Sequence, residues 1–367
     1  MEEPSMPFPV PEGLVTPSVV VDVDALDRNV TTWAAALADR GVGLRPHTKT
    51  SKCLEVVERQ VAAGVVGLTV ATLGEAEVLA DAGHTDLFVA YPTWAGHPAM
   101  ARRLRDLHER SDLLIGVEST RSARALAAAV DGSARRLGVL VEVDAGMRRT
   151  GVEPAEVVAI ARSAEQAGLE VRGVFTFAGH GYGAAGAPDD AADDEVRVLA
   201  DARARLSAAG FEVPVCSAGS TPTAMRSARP PVTDERPGCY VFGDAQQVTL
   251  GAMALGEVAL VVAATVVASH RDGRFVLDAG SKVLAADRPA WVGGHGLLPD
   301  HPGAELRSLS EHHGVAWTTG PRPEVGDVVA VVPNHCCVVV NLVDELTVAR
   351  HGEVVDHWRV AARGRNT

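Results

Sequence analysis

The chain is predicted to be an α/β protein, an N-terminal (β/α)8 TIM barrel followed by a C-terminal antiparallel β domain, and three features of its 367 residues carry that prediction. Up to about residue 244, short apolar runs alternate with stretches rich in Ala, Leu, Arg and Glu. Strands that are apolar almost throughout, with helices between them, belong to a parallel sheet covered on both faces. Eight or nine such units fall between residues 18 and 244, which suits a barrel better than an open sheet. After residue 250 the long helical stretches disappear, and β-rich segments joined by Gly, Pro and Asp turns indicate a separate antiparallel domain. The barrel is assigned to 15–245 and the β domain to 246–367, with residues 1–14 as a candidate to pack on the latter.

In order, the strand candidates are PSVVVDV (17–23), GVGLRP (41–46), VGLTVAT (66–72), DLFVAYP (86–92), LLIGVES (113–119), LGVLVEVD (137–144), VRGVFTFAG (171–179), VPVCSAG (213–219) and CYVFGD (239–244). Runs such as LGEAEVLADAG and STRSARALAAAV lie between them, built of helix formers and closed by glycine in the first case. EVALVVAATVVAS, GRFVLDAGS, DVVAVVPN, CVVVNLV, ELTVAR and EVVDHWRV make up the later β-rich texture.

Composition narrows the function. A net charge of -13 argues against a nucleic-acid partner, which would need clustered Lys and Arg. No unbroken apolar run reaches the roughly 18 residues of a membrane span. The opening MEEPSMPFPVPEG lacks the basic flank and apolar core of a signal peptide, so a cytoplasmic location is expected. Five cysteines (Cys53, Cys216, Cys239, Cys336 and Cys337), widely scattered except for one adjacent pair, do not look like a disulfide framework, and reduced thiols are expected. Small molecules are the expected partners.

In a parallel barrel the loops after the strands gather on one face and hold the chemistry. Here those loops are RPHTKTSK (45–52), ATLGE (71–75), EVDAGMRRTG (142–151), FAGHGYG (177–183), CSAGSTPT (216–223) and RPGCYVFGD (236–244). The last two are Gly-rich and late in the barrel, the usual place for a phosphate. Lys49 follows an early strand and shares its segment with Arg45, His47 and Lys52. Nearby positive charge and desolvation prepare a lysine amine for Schiff-base chemistry. A lysine early and phosphate loops late point to pyridoxal 5'-phosphate (PLP).

Eight segments then occur in order: P-H-x-K-T-x-K (46–52), V-A-T-x-x-E-A (70–76), E-V-D-x-G-M-x-R-T-G-V (142–152), A-G-H-x-Y (178–182), S-A-G-S-T-P-T (217–223), R-P-G-x-Y-V-F-G-D (236–244), D-A-G-S-K (278–282) and P-N-H-x-C (333–337). Together they resemble the D-threonine aldolase and D-serine dehydratase family, part of the alanine-racemase-like (fold type III) group of PLP enzymes. The resemblance covers nearly the whole chain. It implies that Lys49 forms the Schiff base with the cofactor and that Arg149 contacts the pyridoxal ring, with Arg148 beside it as the alternative. It further implies that Gly219, Ser220 and Thr221, with Gly238, Cys239 and Tyr240, cup the phosphate, and that His47, His180 and Tyr182 face the ring or substrate. One departure lies at Ser51, where family members usually carry histidine. Aldehyde capture by Lys49 is unaffected; a hydrogen bond from that histidine, and part of the substrate preference, are in question. A homodimer is expected from the family.

VVPNHCCVVVNL (331–342) raises a metal site. If this run is a strand, alternation points His335 and Cys337 to one side and Cys336 to the other. Imidazole with thiolate suits zinc, and the resemblance implies a His-x-Cys metal pair here holding Zn2+ or Mn2+. Asp278, Lys282 and Asp287 match a family segment near the active-site mouth, although turn polarity accounts for them equally. His312 and His313 could be a metal pair or a surface pair, their loop-like setting favouring the surface, and Cys53 and Cys216 read as buried fillers.

The expected activity is a PLP- and metal-dependent lyase acting on D-3-hydroxy amino acids. Dehydration and deamination are favoured, with retro-aldol cleavage as the alternative and Lys49 and His180 as the candidate catalytic residues. An amino-acid racemase or epimerase needs acid/base groups on both faces of the cofactor; no second base stands out, and the metal pair would have no role. A PLP carrier would leave that pair idle as well.

Overall fold

A computed structural model describes residues 9–367. The strands in chain order are β1 (Ser18–Asp22), β2 (Gly43–Leu44), β3 (Leu68–Val70), β4 (Asp86–Val89), β5 (Asp112–Val117), β6 (Gly138–Val143), β7 (Glu170–Thr176), β8 (Val215–Ala218) and β9 (Asp234–Glu235). They continue with β10 (Leu260–Ser269), β11 (Arg274–Leu277), β12 (Gly296–Leu297), β13 (Ala304–Leu309), β14 (Gly314–Thr318), β15 (Val328–Pro333), β16 (Glu345–Arg350) and β17 (Glu353–Arg359). The chain divides into two compact units.

The first unit comprises Trp33–Lys49, Gln60–Gly238 and Gly364–Thr367. Its eight strands pair in parallel in the order β2-β9-β8-β7-β6-β5-β4-β3. A parallel bridge between His47 and Thr69 joins the two ends of that series, and the Thr48 N-H donates to the Thr69 carbonyl at 2.8 Å. The expected barrel is present. Helices Leu73–Asp81, Pro98–Arg110, Thr120–Ala129, Val157–Gln166 and Ala187–Ala208 follow β3 to β7. Local chemistry starts them: the Thr72 hydroxyl accepts from the Glu75 N-H at 3.1 Å, and Ser119 with Ser122 forms a reciprocal cap.

Phe88, Leu114, Leu140 and Phe175 fill the barrel interior, with the two rings edge to face at 5.1 Å. Each such ring contributes roughly 1.5–3 kcal/mol on burial. Gly116 makes room for Phe175, since a side chain there would run into the ring. Deeper polarity centres on Arg236, whose guanidinium lies 5.5 Å from the Phe175 centroid and donates to Ser217 Oγ and the Thr176 carbonyl, both at 2.6 Å. Burial lowers its pKa, and the charges of Asp234, Glu195, Glu235 and Glu142 oppose that shift.

The second unit comprises the described residues up to Thr32, Thr50–Arg59 and Cys239–Arg363. β10 is its spine, antiparallel to β1, β11 and β15, while β1 also runs parallel to β16. Val20, Val258, Val261, Ala263, Ala330, Val332 and Ala349 form its core, and Val10 and Leu14 pack against it. Residues 1–8 of the segment expected to pack on the β domain lie outside the described residues.

Three segments differ from expectation. PSVVVDV, read as the first barrel strand, forms β1 of this mixed sheet; its successive residues Val19, Val20 and Val21 are all buried, so both faces are covered and it is as uniformly apolar as a barrel strand. CYVFGD is not a strand: Cys239–Val241 form a 3-10 turn, and the last barrel strand is the acidic pair Asp234–Glu235. CVVVNLV is helical up to its last residue, which caps the helix Cys336–Leu342, despite its β-branched run. Tertiary context outweighs strand propensity there, with the Cys336 N-H held by Asp244 Oδ2 at 3.1 Å. Among the described residues, no helix is long and apolar enough to cross a membrane.

Candidate active site

Segments that follow the barrel strands carry the candidate residues of the first unit. Lys49 is exposed beyond β2, between buried Thr48 and Thr50. Its Nζ lies 5.9 Å from the centroid of Phe177, and the Arg149 guanidinium lies 5.0 Å from the same centroid. Phe177, absent from the sequence-derived candidates, thus brings Lys49 and Arg149 together. Arg148 instead occupies the left-handed region at φ 56°, with its N-H on Asp144 Oδ1 at 3.1 Å. That distinguishes Arg149, the expected residue, from its neighbouring alternative Arg148. Behind Arg149, Glu142 accepts from the Thr150 hydroxyl at 2.8 Å, and burial raises its carboxyl pKa.

The expected cluster of positive charge around Lys49 does not form. Arg45 is bound to Asp86 at 2.6 Å and donates to the Val66 carbonyl, while Lys52 donates to Asn341 Oδ1 at 2.9 Å within the second unit. His47 is tied into the barrel wall through its bridge to Thr69, with its N-H on the Pro237 carbonyl at 3.0 Å.

His180 and Tyr182 sit in the 3-10 turn Gly179–Tyr182 after β7. The Asp194 carboxylate holds His180 Nε2 at 3.2 Å, while Nδ1 is buried with no hydrogen-bond partner in the protein. Gly219, Ser220 and Thr221 follow β8, and Ser220 and Thr223 cap one another. Gly219 adopts φ +96°, and a Cβ there would overlap Glu235 Oε2, so only glycine fits. Buried Glu195 accepts from the N-H groups of both Ala178, at 3.1 Å, and Gly219, at 3.2 Å. One carboxylate therefore anchors the His180 segment to the Gly219 segment. Gly238 ends the barrel unit; Cys239 and Tyr240 belong to the second, where Tyr240 is entirely buried.

A thiol cluster occupies the second unit. The β15 strand stops at Pro333, and His335 is the N-cap of the helix that begins at Cys336. Strand alternation therefore does not apply, and Cys336 does not face away: the sulfurs of Cys239, Cys336 and Cys337 all lie within 4.8 Å of one another. Adjacent helical residues turn by roughly 100° rather than the 180° of a strand. Asp287 Oδ2 holds His335 Nδ1 at 2.9 Å, leaving Nε2 as the other ring nitrogen. Hydrogen bonds from Cys239 and Cys336, with the His335 charge, hold Cys337 well below the ordinary thiol range. The neighbouring Cys337 charge in turn raises the His335 pKa against its burial. Thr50 Oγ1 lies 3.2 Å from Cys337 Sγ. Elsewhere, Asp278 accepts from Thr16 and from the Thr265 N-H, and Lys282 pairs with Glu311, both as turn polarity would have it.

A family model described as the N-terminal domain of alanine racemase matches residues 21–246, and another described as a putative serine dehydratase domain matches 259–349. Over 348 residues, 88% of this chain and 91% of the relative, the sequence is 34% identical to a D-threo-3-hydroxyaspartate dehydratase of Delftia sp. strain HT23. The chain belongs to the D-threonine aldolase and D-serine dehydratase family, a group of PLP-dependent lyases. Within that family it is also 30% identical over 361 residues, 95% of this chain and 93% of the relative, to a D-threonine aldolase of Arthrobacter sp.. The solved Delftia dehydratase superposes with a TM-score of 0.87 at 32% identity, covering 95% of this chain and 97% of that one. Two further solved structures of a D-threo-3-hydroxyaspartate dehydratase are a histidine-to-alanine mutant and a cysteine-to-alanine mutant in the metal-free form, the two substituted positions lying two residues apart.

The residues present fit both groups that the family uses. For PLP they offer an exposed lysine amine, an arginine stacked on the same aromatic ring, and a glycine turn with no room for a side chain. For a metal they offer a thiolate and an imidazole whose far nitrogen is fixed by a carboxylate, the usual outer support of a ligating histidine.

Proposed function

We propose that the protein is a PLP- and divalent-metal-dependent lyase of D-3-hydroxy amino acids of the D-serine and D-threonine type, converting them by dehydration and deamination to a 2-oxo acid and ammonia. The observation that carries this reading is the pairing of Cys337 with a His335 held by Asp287. When bound, PLP supplies an electron sink for charge at Cα and the metal a Lewis acid for the departing 3-hydroxyl.

The chain's own residues would then act as follows. Lys49 Nζ removes the Cα proton, and the exposed position of the amine allows it to swing between cofactor and substrate. Phe177 gives Lys49 and Arg149 a common apolar platform, fixing their separation from one another. Gly219, Ser220 and Thr221, with Gly238 and the backbone of Cys239 and Tyr240, bind the phosphate, while His47 and Tyr182 border the ring. Glu195 keeps the Gly219 turn at a set position relative to the His180 turn. His335 and Cys337 hold the metal, with Asp287 fixing the imidazole tautomer.

One observation favours the retro-aldol alternative. His180 has a buried, unpartnered Nδ1 and an Nε2 oriented by Asp194, the arrangement of a base able to take a hydroxyl proton. Product analysis on D-threonine, D-serine and D-threo-3-hydroxyaspartate separates the two. With D-threonine, 2-oxobutanoate and ammonia are expected, whereas glycine and acetaldehyde would replace the dehydratase reading by the aldolase one.

A further inference from the structure

The thiol cluster contains more ligand chemistry than a histidine and one cysteine require. Cys239, in the 3-10 turn after the R-P-G segment, places its Sγ 3.5 Å from Cys337 Sγ. Two thiolates on one tetrahedral zinc, each at about 2.3 Å, lie roughly 3.8 Å apart. The observed separation is far longer than a disulfide and close to that bite. His335 stands two residues before Cys337, and Asp287 holds its Nδ1 at 2.9 Å, which leaves Nε2 as the ring nitrogen for a metal. Cys336 differs. It follows His335 directly on the helix and, although its sulfur lies within 4.8 Å of the other two, it is entirely buried, whereas Cys337 is partly exposed.

The geometry points to Cys239 as a third protein ligand, so that the metal is held by His335, Cys337 and Cys239 and has one open position for substrate. The inference rests on the lyase reading above, in which His335 and Cys337 are ligands. On metal binding the Cys239 S-H bond breaks, a metal-sulfur bond forms, and the proton leaves to solvent. Two thiolates and an imidazole constitute a soft to borderline donor set, which selects zinc over manganese or magnesium. One open position admits a single substrate oxygen, so the 3-hydroxyl and the carboxylate cannot both bind the ion without expanding its coordination. Cys336 stays outside the coordination sphere as a hydrogen-bonding thiol.

Zinc-edge X-ray absorption on the PLP-loaded, zinc-loaded protein counts the sulfurs directly. The wild type should show two, Cys239→Ser one, and Cys336→Ser two. A wild-type count of one, or a Cys239→Ser count equal to wild type, overturns the assignment. A count unmoved by Cys337→Ser overturns instead the lyase reading on which the inference rests. Chelator competition supplies a second readout: Cys239→Ser should raise the zinc dissociation constant by more than the roughly 10- to 100-fold expected from losing an outer-shell partner, and a smaller change contradicts a ligand role.

Discussion

Lys49 and Arg149 share one aromatic ring although 100 residues separate them, and the side chain that unites them, Phe177, has no distinguishing mark in the sequence. Lys49→Ala should lower kcat by at least about 10²- to 10⁴-fold and abolish the absorbance of covalently held PLP, as measured by steady-state kinetics and spectrophotometry. Retained cofactor absorbance would remove Lys49 from its proposed role. Glu142 offers a test with a defined sign. Its folded pKa is raised, with burial the leading cause and the Thr150 hydrogen bond opposing it, so the folded protein holds this proton more tightly than the unfolded chain. Its contribution to stability is therefore complete below the ordinary glutamate range and is lost as pH rises through the raised folded value. Urea midpoints across that window should fall less steeply with rising pH in Glu142→Gln than in the wild type; parallel curves would contradict the assignment.

At the scale of elements, the segments that carry function are the ones where local propensity and observed structure part. The β-branched run after His335 is a helix, and the short acidic strand Asp234–Glu235 completes the barrel where an apolar CYVF had been expected to do so. Both errors have one cause. Propensity reads a segment's own residues, whereas these segments are decided by partners far along the chain: Asp244 for the helix start, and Leu44 and Ala218 for the acidic strand. Gly219 shows the same dependence in reverse, because its motif was legible while the reason for a glycine lies in Glu235, sixteen positions later. Gly219→Ala should destabilise the barrel by roughly 1–3 kcal/mol through backbone strain alone, with an added loss of PLP affinity. Chemical denaturation together with cofactor titration measures both; unchanged stability would show that the turn has another accessible shape.

For the whole molecule, the family relationship extends over both units rather than the barrel alone, since the two matched regions run through 21–246 and 259–349. The corresponding expectation is a homodimer, which light scattering should register as a particle of twice 38.3 kDa under conditions of full activity. A fully active 38.3 kDa particle would refute it.

By itself the sequence determined the barrel, through apolar strands recurring with helices between them, and it determined the candidate lysine, glycine turns and His-x-Cys pair, because each of those is a contiguous string. Tertiary structure alone decided which arginine approaches Lys49, that Glu195 links two loops, that Asp287 orients His335, and that Cys239 joins Cys337. Periodicity and motif are properties of neighbouring residues. Convergence of groups from distant positions is a property of how the backbone returns on itself.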